Sequence, residues 1–231
     1  MADRKQEEDL RSYGRRRGRA PSARQKALWN DVLPRVAVPA DAEGLRRPRE
    51  LFSPAVEDVW LEIGFGGGEH LARQAKANPK VGFIGCEPFE DGVVKLLNAI
   101  DHEGIANIKV CAGDARPLLR QLPDASIGRA FILFPDPWPK KRHHKRRLIS
   151  AATLGQLARI LRPGAELRLA TDVGDYACAM LRVLLATRAL RWTAACPEDW
   201  RRRGPDWPPT RYELKAAEAG HRSYYFRFGR A

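Results

Sequence analysis

Cysteine is scarce in this sequence and follows no pattern. Cys86, Cys111, Cys178 and Cys196 are the four in 231 residues, and none forms a Cys-x-x-Cys pair. That excludes a disulfide scaffold and argues against a structural zinc site, so no metal is expected and a reducing, cytoplasmic compartment is. Long apolar runs are missing as well. No stretch approaches the roughly 18 residues of a membrane span, and the N-terminus is charged rather than signal-like, so no membrane association is expected. Acidic charge is in deficit: 28 Asp and Glu face 41 Lys and Arg, a net charge of +13. In a chain that is 44% hydrophobic and 30% charged, such a balance points to a polyanionic partner, nucleic acid ahead of an anionic membrane. The length fits one large domain, or one domain with an arm.

Residues 1–26 hold nine Lys and Arg and almost no large apolar residue. Such a segment buries too little surface to offset its ordering entropy and reads as a flexible basic arm. It changes sign along its length, from Glu7, Glu8 and Asp9 to the block Arg15, Arg16, Arg17 and Arg19. Residues 27–231 read as one domain. After an irregular lead-in containing Pro34, Pro39 and Pro48, with a helix near Lys26–Val32, the pattern becomes regular. Strands are predicted at Val59–Ile63, Val81–Glu87, Ile108–Ala112, Arg129–Phe134, Ala165–Ala170, Arg191–Ala195 and Arg222–Phe228. Helices are predicted at Glu69–Ala77, Asp91–His102, Arg116–Gln121, Leu148–Leu161 and Asp175–Thr187, with one more from Arg211. Strands apolar on both faces, alternating with helices, predict an α/β fold: a Rossmann-like sandwich around a seven-stranded, mostly parallel sheet with helices on both faces.

The first strand runs into Leu61-Glu62-Ile63-Gly64-Phe65-Gly66-Gly67-Gly68-Glu69. Glycines there let backbone approach a ligand and expose N–H groups at a helix start, or simply pack helix on strand. The dinucleotide fingerprint fails, because it needs glycine where Glu69 stands. Acids at later strand ends sharpen the reading. Glu87 can accept both hydroxyls of an adenosine ribose. Asp114 can accept the adenine amino group, or serve only as a helix N-cap. Glu62 is placed to meet a cationic amino-acid end. Gly64, Gly66, Glu62, Glu87 and Asp114 together describe S-adenosylmethionine better than NAD.

After the fourth strand, Pro135, Pro137 and Pro139 alternate with Asp136, Trp138 and Lys140, stiffening the loop and fixing where those side chains point. Residues 140–147 then hold six Lys and Arg and two His with no acid, a phosphate-binding surface beside an aromatic ready to stack.

The run from Pro135 to Arg147 resembles the signature of the bacterial tRNA (guanine-N7-)-methyltransferases, class I S-adenosylmethionine-dependent enzymes acting on a variable-loop guanosine. Arg11-Ser12-Tyr13-Gly14-Arg15-Arg16-Arg17-Gly18-Arg19 resembles that family's basic N-terminal segment, and Leu61–Gly66 its cofactor loop. Thr171-Asp172 resembles the end of its fifth strand. Thr210-Arg211-Tyr212-Glu213 resembles its Thr-Lys-Phe-Glu motif, with Arg211 for lysine and Tyr212 for phenylalanine. The resemblance covers nearly the whole chain. It implies that Glu62, Glu87, Asp114 and Asp136 line the cofactor and reaction site. It also implies that Lys140, Asp172, Thr210, Arg211, Tyr212 and Glu213 contact the substrate, with Arg142, His143, His144, Lys145, Arg146 and Arg147 on the RNA. A capping box accounts equally for Thr210 and Glu213, and an N-cap for Asp172.

Guanine N7 carries an in-plane lone pair, so such chemistry needs alignment rather than a base, and the product purine is cationic. A carboxylate beside it gains interaction in the transition state, and Asp136 is the expected catalytic residue. The expected cofactor is S-adenosylmethionine and the expected partner tRNA, in a monomer or homodimer with no obligatory protein partner. A small-molecule methyltransferase and a non-enzymatic RNA-binding module are the rival readings. The net charge and basic loop speak against the first, the complete glycine and acid set against the second.

Overall fold

The computed structural model describes residues 16, 18, 20–39 and 43–231. The run Glu7–Asp9 and most of the basic block at 15–19 lie outside the described residues. Seven strands form one sheet: β1 (Asp58–Ile63), β2 (Val81–Cys86), β3 (Ile108–Cys111), β4 (Ile127–Leu133), β5 (Leu161–Thr171), β6 (Leu190–Trp192) and β7 (Tyr224–Arg230). Their order is 3-2-1-4-5-7-6. β1 to β5 pair in parallel, and β7 runs antiparallel between β5 and β6.

The helices are α1 (Ala23–Ala27), α2 (Leu33–Val36), α3 (Glu69–Ala77), α4 (Glu90–Glu103), α5 (Ala115–Gln121), α6 (Ala151–Ile160), α7 (Gly174–Ala186), α8 (Glu198–Arg201) and α9 (Arg211–Glu218). A π-turn, Leu28–Val32, joins α1 to α2. Because side chains alternate across a strand, β1 sends Val59, Leu61 and Ile63 to one face and Trp60 and Glu62 to the other. The first face packs under α5, α6 and α7 through Leu118, Leu157 and Met180. On the second face, α3 and α4 cover β1 to β3 with Leu71, Leu96 and Leu97. Among the described residues, no long helix covers that face over β4, β5 and β7; Trp207, 1% exposed, does so from a loop, against Phe131, Leu133, Ala170 and Tyr225. Among the described residues, no helix is long and apolar enough to cross a membrane.

Several boundaries differ from the pattern. The helix predicted at Leu148–Leu161 starts at Ala151, because Ser150 accepts a hydrogen bond from the Thr153 N–H and caps it. It stops at Ile160, and β5 starts at Leu161 rather than Ala165. Pairing jumps from Ile127–Leu161 to Arg129–Glu166, so β5 bulges around Gly164, whose φ is +79°. The strand predicted at Arg191–Ala195 is Leu190–Trp192. Residue 26, the boundary drawn for the arm, falls inside a helical stretch. Ser22 and Gln25 form a capping box there, and Arg24 Nη2 donates to Asp101 Oδ2 at 2.7 Å.

Candidate active site

The chain leaves β1 outward to β2 and β3, then returns to place β4 on the other side of β1. Open α/β sheets bind ligands at the carboxyl ends of strands beside such a reversal. There Gly64 and Gly66 turn with φ of +76° and +57°. The Gly66 N–H donates to Glu87 Oε2 at 2.8 Å and the Phe89 N–H to Glu87 Oε1 at 2.9 Å. The acid closing β2 is thus pinned by two backbone donors, and each oxygen keeps a lone pair for a ligand. Glu87 is 8% exposed. Burial pushes its pKa up against the pull of those two N–H groups, and the Asp136 and Glu62 carboxylates raise it further. Gly92 in α4 lets this cradle close, since a Cβ there would sit 2.3 Å from the Gly66 carbonyl oxygen.

Glu62 lies under the cradle, almost wholly buried, with Oε2 2.7 Å from His70 Nδ1. Its Oε1 makes no hydrogen bond among the described residues. Asp114 is the N-cap of α5: Oδ1 accepts from the Arg116 N–H and Nε, both at 2.9 Å, and Oδ2 from Arg116 Nη2 at 2.6 Å. Burial raises its pKa, but the Arg116 contacts outweigh that and lower it. The N-cap alternative therefore describes Asp114, which keeps one acceptor position on Oδ2. The N-cap alternative for Asp172 is not formed. Val173 occupies that position without a side-chain bond, and Asp172 Oδ2 lies 3.5 Å from His221 Nδ1. Near this cradle, the Arg16 carbonyl accepts from the Glu90 N–H at 2.9 Å.

Beyond β4 the proline segment is strained at both ends, with φ of +51° at Phe134 and +42° at Trp138, values that cost energy for residues with a Cβ. Exposed Asp136 sits between them, close enough to raise the pKa of Glu87, of Tyr212 and of Tyr176, the last pushed up to about 12 chiefly by its own burial. A 3₁₀ turn over Lys141–Arg146 follows. Its charges divide into two sets. Lys140, Lys141, Arg142 and Lys145 are exposed and form no salt bridge among the described residues. Arg146 stacks over Trp138 at 5.0 Å, and Trp138 meets His143 edge-on at 5.9 Å. Burial and the surrounding cations Arg146, Arg142, Lys140 and Lys145 lower the His143 pKa. Arg147, expected on the RNA, has a side chain only 7% exposed. Its Nε donates to the Pro137 carbonyl at 2.9 Å, its Nη2 meets Asp175 Oδ2 at 2.5 Å, and its guanidinium lies 4.7 Å over Tyr176. It braces the loop instead of facing solvent.

Thr210 caps α9 through the Glu213 N–H at 3.1 Å, but Glu213 does not close the box. Its Oε1 accepts from Arg203 Nε at 2.9 Å and Tyr225 OH at 2.7 Å instead. The next residue in from the cap is exposed Arg211, and then Tyr212, 58% exposed, whose ring lies over Gly66, with its pKa raised by burial and by Glu87, Asp136 and Glu69. The fold thus brings Gly66, Glu87, Asp136 and Tyr212 to one cleft from four separate segments. It leaves Asp172 and Arg147 in other company.

Several residues that hold this arrangement carry weak sequence signals. Gly92 shows only as a glycine in a helix, and His70 and Gln74 only as polar residues on a helix face. Arg168, 2% exposed, reaches Asp206 Oδ2 at 2.6 Å and so anchors the loop that carries Trp207 and Thr210. Among the described residues, no group of three or more His, Cys, Asp or Glu is placed to hold a metal ion.

A family model described as "Putative methyltransferase" matches residues 57–226. The chain is 49% identical to a tRNA (guanine-N(7)-)-methyltransferase of Rhodospirillum rubrum, over 96% of this chain and 89% of that one. It is 47% identical to the enzyme of the same name from Roseobacter denitrificans, over 94% and 95%. The chain belongs to the tRNA (guanine-N7-)-methyltransferase family. The fold agrees. The structure of the 16S rRNA methyltransferase KamB matches with a TM-score of 0.55 at 18% identity, covering 76% of this chain and 89% of that one. The architecture is the class I methyltransferase fold, and S-adenosylmethionine is the methyl donor the family implies. The residues present fit that donor: two glycines with positive φ, a pinned acid at the end of β2, and a buried acid with an oxygen to spare.

Proposed function

We propose that this chain methylates N7 of a guanosine in tRNA, in the cytoplasm, using Glu87 for the donor's ribose, Glu62 for its amino-acid end and the free position on Asp114 for its adenine. When bound, S-adenosylmethionine supplies a sulfonium methyl, an electrophile that needs no further activation. Asp136 accepts N1–H and N2–H from the guanine edge, which orients N7 and selects guanine over adenine. The same carboxylate stabilises the positive charge that develops on the purine. Tyr212 and Arg211 line the substrate side, with Thr210 and Glu213 holding their helix in place. Lys140, Lys141, Arg142 and Lys145 take phosphates, with His143, His144 and Arg146 shaping the turn beneath them. Those contacts help offset the few kcal/mol that extruding a base from folded tRNA costs.

The observation that carries this reading is the place of Asp136. Strained backbone holds it between the acid that ends β2 and the exposed cations Lys140, Lys141, Arg142 and Lys145, which form no salt bridge among the described residues. Incubation with methyl-labelled donor and bulk tRNA, followed by nucleoside mapping, should yield 7-methylguanosine alone. Asp136→Ala should abolish transfer while leaving donor affinity within a few-fold. Near wild-type single-turnover rates in that variant would remove Asp136 from catalysis.

A further inference from the structure

Below the glycine loop, a row of side chains runs along α3 from half-buried Asn78 at its C-terminal end, through buried Gln74 and His70, to buried Glu62 on β1. Asn78 Nδ2 approaches Gln74 Oε1 at 3.3 Å. Gln74 Nε2 donates to the Asp206 carbonyl at 3.0 Å and lies 3.4 Å from His70 Nε2. His70 Nδ1 then meets Glu62 Oε2 at 2.7 Å. The polarity of this row follows from its fixed ends. A carbonyl only accepts, so the nitrogen of the Gln74 amide must face Asp206. That same nitrogen faces His70 Nε2, which must then be the acceptor. The imidazole proton therefore sits on Nδ1 and points at the carboxylate. The ring is clamped as well, edge-on to Phe131 with centroids 4.9 Å apart.

We propose that His70 is a positioning residue for the methyl donor: it holds one oxygen of Glu62 and thereby presents the other, Oε1, to the ammonium of the donor's amino-acid end. This rests on the reading of Glu62 given above. A lone carboxylate on a strand can rotate about its side-chain torsions. One fixed by a 2.7 Å hydrogen bond from a buried ring has already lost that freedom before ligand arrives.

The test compares two ligands, S-adenosylhomocysteine and 5′-methylthioadenosine. Both carry the adenosine and sulfur, and the second lacks the amino-acid end. Calorimetry on the full chain gives the affinity ratio of the two. Glu62→Gln should collapse that ratio. His70→Phe, which keeps the ring but not the donor, should reduce it about tenfold, the size of one charged hydrogen bond. That reduction should come from S-adenosylhomocysteine alone. His70→Asn places an amide where Nδ1 was and should keep the ratio within about twofold. His70→Gln, whose amide falls nearer the Nε2 position, should lose it as His70→Phe does. A general loosening of the fold would weaken both ligands alike and leave the ratio standing. If His70→Phe does not fold, the Asn and Gln variants decide. An unchanged ratio in His70→Phe or His70→Gln, with Glu62→Gln lowering it, overturns the role of His70. An unchanged ratio in Glu62→Gln overturns the reading of Glu62 itself.

Discussion

Replacing Arg147 by alanine separates bracing from RNA contact, because composition alone puts this residue among the phosphate binders. Its hydrogen bond to the Pro137 carbonyl is charge-assisted, at 2.9 Å and out of water, and such bonds contribute about 1.5–3 kcal/mol. Its seat over Tyr176 adds about 0.5–2 kcal/mol. The ion pair with Asp175 adds little, since that partner is solvent-exposed and screened. The terms share one side chain and do not sum strictly, so the expected loss is about 2–4 kcal/mol of stability by urea titration. The released Pro137 carbonyl lies next to Asp136, so turnover should fall more than tRNA affinity does. Arg142→Ala should do the reverse: stability unchanged, tRNA affinity weakened, and the log–log salt slope flattened by about 0.7–0.9. Filter binding across a salt series reads that slope for both variants. A flattened slope with unchanged urea midpoint for Arg147→Ala would show that its guanidinium leaves Pro137 and binds phosphate.

Glu87→Ala should weaken donor binding by about 1.5–3 kcal/mol in calorimetry; unchanged affinity would remove Glu87 from the site. Since the Glu87 pKa is raised, acidification should protonate it, and weaken the wild-type donor affinity, at a higher pH than an ordinary glutamate would give. Gly92→Ala is a contest between two effects. Helix propensity favours it by up to about 1 kcal/mol, while the added Cβ would press on the Gly66 carbonyl. We expect donor affinity to fall with tRNA binding retained, and a variant more stable and equally tight would refute the close approach. Trp207→Ala empties a site between the sheet and the substrate-side loop and should cost about 3–5 kcal/mol in thermal or urea unfolding. A loss under 1 kcal/mol would mean that the loop adds no core over β4 and β5.

Strand and helix order was legible because the apolar runs of β1, β2 and β4 have no solvent face, which leaves few alternatives to a parallel sheet. The bulge in β5 was not, since Pro163 and Gly164 look like a turn between two elements rather than an interruption in one strand. The candidate acids Glu62, Glu87 and Asp136 stand out in the sequence by their place at or just past strand ends. Asp114 and Arg147 could not be resolved, because capping and bracing use the same residue types as ligand and phosphate binding. What separates them is the partner, Arg116 two residues on in one case and the Pro137 carbonyl ten residues back in the other, and the direction each side chain takes is set by the fold. His70 and Gln74 escaped for a related reason. Their meaning depends on Glu62 and Asp206, which lie 8 and 132 residues away from their respective partners.

The insertion of β7 between β5 and β6 fixes an order of assembly. By Thr171 the chain contains β1 to β5 with the glycine loop, Glu87 and Asp136, but not yet Tyr212, whose ring lies over Gly66. The cover over β4 and β5 needs Trp207 and Tyr225, and among the described residues β6 pairs in the sheet with β7 alone. During synthesis the half proposed to bind the donor can therefore close first, while the half proposed to face tRNA waits for the last strand to slide in beside β5. A nascent chain short of its final strand would thus hold a donor pocket with an unfinished floor for RNA, and could bind its small ligand before it could act on its large one.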